Sequence, residues 1–124
     1  MQAMWWVGLG GAAGAIARYY VTLALAARLG AGFPYGTLLV NVTGCFLLGL
    51  VGAAVADRAA FLSPEARLLV GVGFCGAYTT FSAFGLETVA LLKAGQYTAA
   101  AIYVALSNVL GLLAVAGGVY LGRG

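Results

Sequence analysis

The sequence predicts an all-α membrane protein of four transmembrane helices, the third broken near its middle, and three observations predict it. Of 124 residues, 64% are hydrophobic and 7% charged, with a mean hydropathy of +1.05; a soluble domain carries about a quarter charged residues. Residues 1–17, 29–56, 68–86 and 94–122 hold no charged side chain. Since a spanning helix needs about 20 apolar residues, four spans fit, near 4–27, 36–56, 66–92 and 98–122. Within the third, GFCGAYTTFSAF (residues 73–84) crowds glycines and β-branched threonines into a stretch that should be good helix. Glycine costs about 1 kcal/mol against alanine in a helix interior, so Gly73, Gly76, Thr79 and Thr80 invite a break.

The first span begins at MQAMWW, which lacks a basic leader region, so it is expected to stay rather than be cleaved as a secretory signal. Trp5, Trp6, Tyr19 and Tyr20 lie near its ends, where amphipathic rings favour the headgroup level. Gly10 and Gly14 form a GxxxG, a spacing that lets helices approach closely. Arg18 is its one ionisable residue, either a snorkelling anchor or a charge facing a water-filled vestibule.

RLGAGFPYG (28–36) reads as a turn: Gly30 and Gly32 permit positive φ, and Pro34 blocks helix continuation. The second span then carries Thr37, Asn41 and Thr43, with Asn41 and Gly44 on one face. At DRAAFLSPEAR (57–67), Ser63 suits an N-cap, Pro64 the first helical position and Glu65 the positive helix end, so the third helix is expected to start near 64. KAGQY (93–97) is a short break that Gly95 enforces. In the fourth span Tyr103, Ser107 and Gly111 follow at i+4 on one face, and Gly111, Ala114 and Gly118 continue the small-residue pattern.

No internal repeat or long linker divides the chain, so residues 1–124 form one domain. Cys45 and Cys75 both fall inside spans without a CxxC or a histidine, and read as small buried apolar residues. The net charge of +3 comes without a basic cluster, which fits a membrane surface and not nucleic acid. No histidine and few acids leave no general-base constellation, so an enzyme is not expected.

Four spans put both termini and the 57–65 loop on one side. Arg58, Arg67 and Arg123 stand there, against Arg28 and Lys93 opposite; adding Arg18 to the second group balances the tally. Orientation follows an excess of Lys and Arg in the cytoplasmic loops. None is visible, so the chain is expected to insert both ways up and to pair as an antiparallel, dual-topology homodimer.

Two readings fit the intramembrane polar groups. They bond between helices, at about 0.6 kcal/mol each on average, or they form tracks of donors along a pathway. Phe81 and Phe84 are likewise either ordinary i, i+3 packing or part of that pathway. Glu87, near a span end, is a solvated vestibule residue or a member of the track.

GGAAGAIARYY (10–20), GTLLVNVTGCFLLG (36–49), GFCGAYTTFSAF (73–84) and YVALSNVLG (103–111), in that order in a chain of this length, resemble the Fluc, or CrcB, fluoride channels. The resemblance implies a dual-topology homodimer in the cell's inner (plasma) membrane, with two antiparallel fluoride pores and a central structural sodium ion. It assigns the sodium to backbone carbonyls of Gly76 and Thr79 from both chains. The pore would use Asn41, Phe81, Phe84, Tyr103 and Ser107, and Arg18 would match the family's vestibule arginine. The signature often reads TTFST, whereas Ala83 follows Ser82 here, and Gly111 stands where relatives have a hydroxyl; Thr80, Ser82 and Glu87 are then expected to extend the polar track. The implied activity is passive export of cytoplasmic fluoride. The main alternative is a small dual-topology proton-coupled multidrug exporter, which needs a titratable carboxylate deep in the membrane; only Glu87 is available, late in its span.

Overall fold

A computed structural model describes residues 2–56 and 62–123. Four helices long and apolar enough to cross a membrane make up the described chain: Gln2–Leu29, Tyr35–Ala56, the third span Pro64–Lys93, and Tyr97–Gly122. This is a multi-pass membrane protein. Asp57 and Arg58, the latter counted in the charge tally, lie outside the described residues.

Local chemistry sets the helix ends. Ser63 is the N-cap of the third span, its Oγ accepting the Ala66 N–H at 3.1 Å, with Pro64 in the first turn. Gly95 adopts φ +77° and lets the chain fold back, so that Gly95 N–H bonds Leu92 and Gln96 N–H bonds Leu91 at the helix end. Gly30 does the same after the first helix with φ +84°, whereas Gly32, expected to share that freedom, is not in the left-handed region.

The break expected near the middle of the third span is slight, and Pro64–Lys93 continues as one span. Pro64–Ala66 is α-helical, Arg67–Cys75 is π-helical, and Gly76–Tyr78 returns to α. Thr79 (φ −86°, ψ 157°) and Thr80 (φ −153°, ψ 113°) are extended, and Phe81–Lys93 is α-helical again. The departure to extended backbone is confined to these two residues within one span of 30.

The small-residue faces pack within the chain. A Cβ on Gly10 would run into the carbonyl of Leu69, and one on Gly73 would stand 2.6 Å from the carbonyl oxygen of Val7, so the first helix lies directly against the π-helical stretch. Gly118 meets the backbone of Phe46 and Gly49 in the same way, joining the fourth helix to the second. Close backbone contact of this kind is how membrane helices associate when lipid is as apolar as the side chains.

These contacts leave a thin interior. Among the described residues Val40, Cys75 and Tyr103 are the largest fully buried side chains, while Trp5, Tyr97 and Tyr120 stand exposed near helix ends and Tyr19 and Tyr20 stand exposed well inside the first helix. Both cysteines are free, Cys75 buried and Cys45 half-buried. Among the described residues no cluster of three His, Cys, Asp or Glu could hold a metal.

Candidate functional site

The site forms where the second helix meets Thr79 and Thr80. Extended backbone removes the usual helical partners of nearby N–H and C=O groups, and such groups are costly to leave unpaired away from water. Asn41 supplies both replacements for Thr80: its Oδ1 accepts the Thr80 N–H at 2.7 Å, and its Nδ2 donates to the Thr80 carbonyl at 3.1 Å. One turn along, Gly44 makes room for Thr79, whose methyl occupies the space a Cβ would need. Thr80 in turn caps the following helix, its Oγ1 accepting the Ala83 N–H at 3.1 Å. Its hydroxyl also pairs with that of Ser82 at 3.2 Å.

Two further anchors fix this region. Arg18 Nε donates to the Ala77 carbonyl at 2.9 Å. The Thr79 hydroxyl donates to the Cys75 carbonyl at 2.9 Å. Among the described residues, no side-chain donor bonds the carbonyls of Gly76 or Thr79.

A cavity of about 250 Å³ lies beside the extended pair, lined by Asn41, Thr80, Phe81, Phe84 and Ser107 among others. Phe81 and Phe84 form its aromatic wall, and a chain of rings continues from them away from the cavity. Phe81 and Phe84 have centroids 5.7 Å apart, Phe84 and Tyr103 5.0 Å, and Tyr103 meets Phe33 edge-on at 5.5 Å. Phe81 is 83% exposed, so this wall is open on one side. The Ser107 hydroxyl is buried with no hydrogen-bond partner among the described residues. Asn108 reaches the same cavity, but its Nδ2 donates to the Val104 carbonyl at 2.8 Å.

A second cavity, of about 380 Å³, opens by the 30–36 turn and holds Thr37 and Glu87. Each carboxylate oxygen of Glu87 takes one hydroxyl: Thr37 donates to Oε2 and Tyr103 to Oε1, both at 2.9 Å. Tyr103, expected as a donor beside Ser107, is thus fully buried with its hydroxyl committed to Glu87. Arg18 lines neither cavity.

Of the residues singled out in the sequence, Asn41, Thr80, Phe81, Phe84 and Ser107 come together in one cavity and Glu87 lies at the other, joined to the first through Tyr103. Ser82, exposed, touches the group only through Thr80. Sequence reasoning missed the Thr37–Glu87 bond and the Arg18–Ala77 bond. A signal for the first was present, since Thr37 precedes Asn41 by four positions and shares its helix face.

A profile of the CrcB-like protein, Camphor Resistance (CrcB) family matches residues 5–119. The chain belongs to the CrcB family. A relative from Trichormus variabilis (strain ATCC 29413 / PCC 7937), named fluoride-specific ion channel FluC, is 49% identical over 117 residues, 94% of this CrcB chain and 85% of its own. One of the same name from Acidobacterium capsulatum is 51% identical over 118 residues, covering 95% and 94% of the two chains. A third, from Rhizobium meliloti (strain 1021), is 45% identical over 94% of this chain and 93% of its own. By name these CrcB relatives are ion channels, not enzymes.

Proposed function

We propose that this CrcB chain is a fluoride-selective ion channel that lets cytoplasmic fluoride leave passively, giving fluoride resistance to the cell whose inner (plasma) membrane holds it. Relatives 49% and 51% identical over nearly the whole chain, both named for fluoride, carry this reading. The chemistry of the cavity supports it.

Fluoride is small and tightly hydrated, so a selective pore has to replace water with close donors. Ser107 offers an O–H with no other partner, and Asn41 keeps one of its two amide hydrogens after bonding Thr80. Phe81 and Phe84 offer ring edges, the positive part of the aromatic quadrupole, which favour an anion without holding it as an arginine would. Weak, multiple sites are what conduction needs. Thr80 and Ser82 extend this line on one side. On the other, Tyr103 and Thr37 are held by Glu87, and they reach a passing anion by exchanging the carboxylate for it.

The working unit in this reading is an antiparallel, dual-topology homodimer with two pores. Phe81, 83% exposed, leaves the pore wall open on one side, which a second chain would close. The third span's two extended residues turn the neutral carbonyls of Gly76 and Thr79 into candidate ligands for a sodium ion at the dimer centre. Two carbonyls are too few for a hard cation, and an antiparallel copy of the chain raises the set to four. These oxygens fit the ion: they are neutral, and among the described residues they have no side-chain donors and no cluster of three acids, cysteines or histidines competes. Sodium would supply a structural link there and a positive potential for anions.

Passive conduction suffices for export. Hydrogen fluoride enters cells as a neutral acid and ionises in the cytoplasm, and an inside-negative potential drives the anion out by about 2.3 kcal/mol per 100 mV. The test is efflux from liposomes holding the purified protein and loaded with potassium fluoride or potassium chloride, with valinomycin carrying potassium. Rapid fluoride release without chloride release is expected. Release of neither by folded dimer overturns the reading and directs attention to proton-coupled exchange through Glu87.

A further inference from the structure

We propose that Arg18 is a positioning residue that holds the segment just before Thr79 and Thr80 in place, and that it acts through its Nε–H bond and not through its charge. Arg18 sits well inside the first helix, half-buried, with Nε 2.9 Å from the carbonyl oxygen of Ala77. In an unbroken α-helix that oxygen receives the N–H of the residue four positions on, here Phe81. The extended dihedrals of Thr79 and Thr80 carry Phe81 away. Ala77 therefore needs a donor from elsewhere, and the first helix supplies it.

Asn41 does the matching work on the far side of the same pair, bonding both backbone groups of Thr80. Two helices thus brace a stretch of backbone that has lost its own hydrogen bonds, one before the extended residues and one at them. The direction of the Gly76 and Thr79 carbonyls and the start of the helix bearing Phe81 and Phe84 both depend on that stretch. Arg18 lines neither cavity, so its position argues for bracing and against an electrostatic lure for anions.

The donor atom makes the idea separable from its rivals. The Nε2 of glutamine occupies the same place along the side chain as the Nε of arginine, so Arg18→Gln keeps a donor for Ala77 and removes the charge. Arg18→Lys keeps the charge but moves the donor one atom further out. Arg18→Met keeps the stem and has neither.

The flux readout rests on the fluoride-channel reading, whereas a second readout does not. Wild type and the three variants are reconstituted in lipid, and fluoride efflux is measured at low and high ionic strength alongside amide hydrogen exchange across residues 74–86. Arg18→Gln is expected to keep near-wild-type exchange protection and the highest flux of the three. Arg18→Met should exchange about ten-fold faster there, the loss expected for one bond that had shielded a backbone group. Flux retained in Arg18→Lys but lost in Arg18→Gln, with a loss that salt mimics in the wild type, overturns the proposal in favour of charge. Wild-type protection in every variant also overturns it, because the bond then positions nothing. If Arg18→Met fails to fold, the Gln and Lys variants still decide the matter. If the wild type conducts no fluoride, the channel reading falls while the exchange comparison still tests the brace.

Discussion

The side-chain amide of Asn41 closes a ring with the backbone of Thr80, accepting its N–H at 2.7 Å and donating to its carbonyl at 3.1 Å. A side chain here stands in for a peptide group, and it does so at the point where the third span leaves helical geometry. Asn41 is therefore a brace for the backbone, and it also lines the cavity.

Replacing Asn41 by alanine removes both bonds. Each unpaired backbone group costs about 1–3 kcal/mol, so Asn41→Ala is expected to lower thermal stability and to speed exchange of the Thr80 amide. Asn41→Asp keeps the acceptor for the Thr80 N–H and loses the donor. It should protect the amide better than alanine does while conducting poorly. Equal protection in wild type and Asn41→Ala would show that the ring holds nothing.

Phe81 and Phe84 share one wall of the cavity with centroids 5.7 Å apart. Phe81→Ile or Phe84→Ile keeps apolar bulk but removes the positive ring edge. Each variant should purify as a folded dimer with strongly reduced fluoride efflux, on the order of ten-fold or more for the loss of one close anion contact. Normal efflux in both would take the aromatic pair out of the pathway.

Ser107 offers a test in which stability and flux should part. Its hydroxyl is buried without a partner among the described residues, and removing such a group leaves no other atom unsatisfied. Ser107→Ala should match or exceed wild type in thermal unfolding while passing fluoride more slowly. A large loss of stability would reveal a structural bond, and unchanged efflux would place the anion elsewhere.

Charge balance across the membrane leads to a different kind of measurement. Arg67 and Arg123, with Arg58, face Arg28, Lys93 and Arg18 across the span order. With no excess on either side, the charge rule predicts no preferred orientation. A reporter at the C-terminus is expected to be labelled from both faces of the membrane, and labelling from one face alone would end the dual-topology proposal.

Much of the architecture was legible because it follows from local rules. Ser63, Pro64 and Glu65 marked the start of the third span, and Gly30 and Gly95 the two turns, since capping and positive φ depend on adjacent residues alone. Four charge-free stretches gave four spans because the bilayer imposes a minimum apolar length. The π-helical run Arg67–Cys75 was not legible: its residues have ordinary helix preferences, and it lies against the first helix through Gly10 and Gly73, a contact between segments far apart in sequence. The partner of Tyr103 was not legible for a similar reason. Its spacing put it on the face of Ser107, but the phenol reaches a carboxylate on another helix, and a hydroxyl buried in a membrane protein takes the strongest acceptor within reach.

The sequence by itself determined how many times the chain crosses the membrane, where each crossing starts, and which few polar residues are carried into it, because each of these depends on composition or on near neighbours. Only the tertiary structure decided what those residues do. Asn41 turned to Thr80, Arg18 to Ala77 and Tyr103 to Glu87, while Ser107 was left without a partner among the described residues, because the packing of the helices selects which polar groups come within reach of one another.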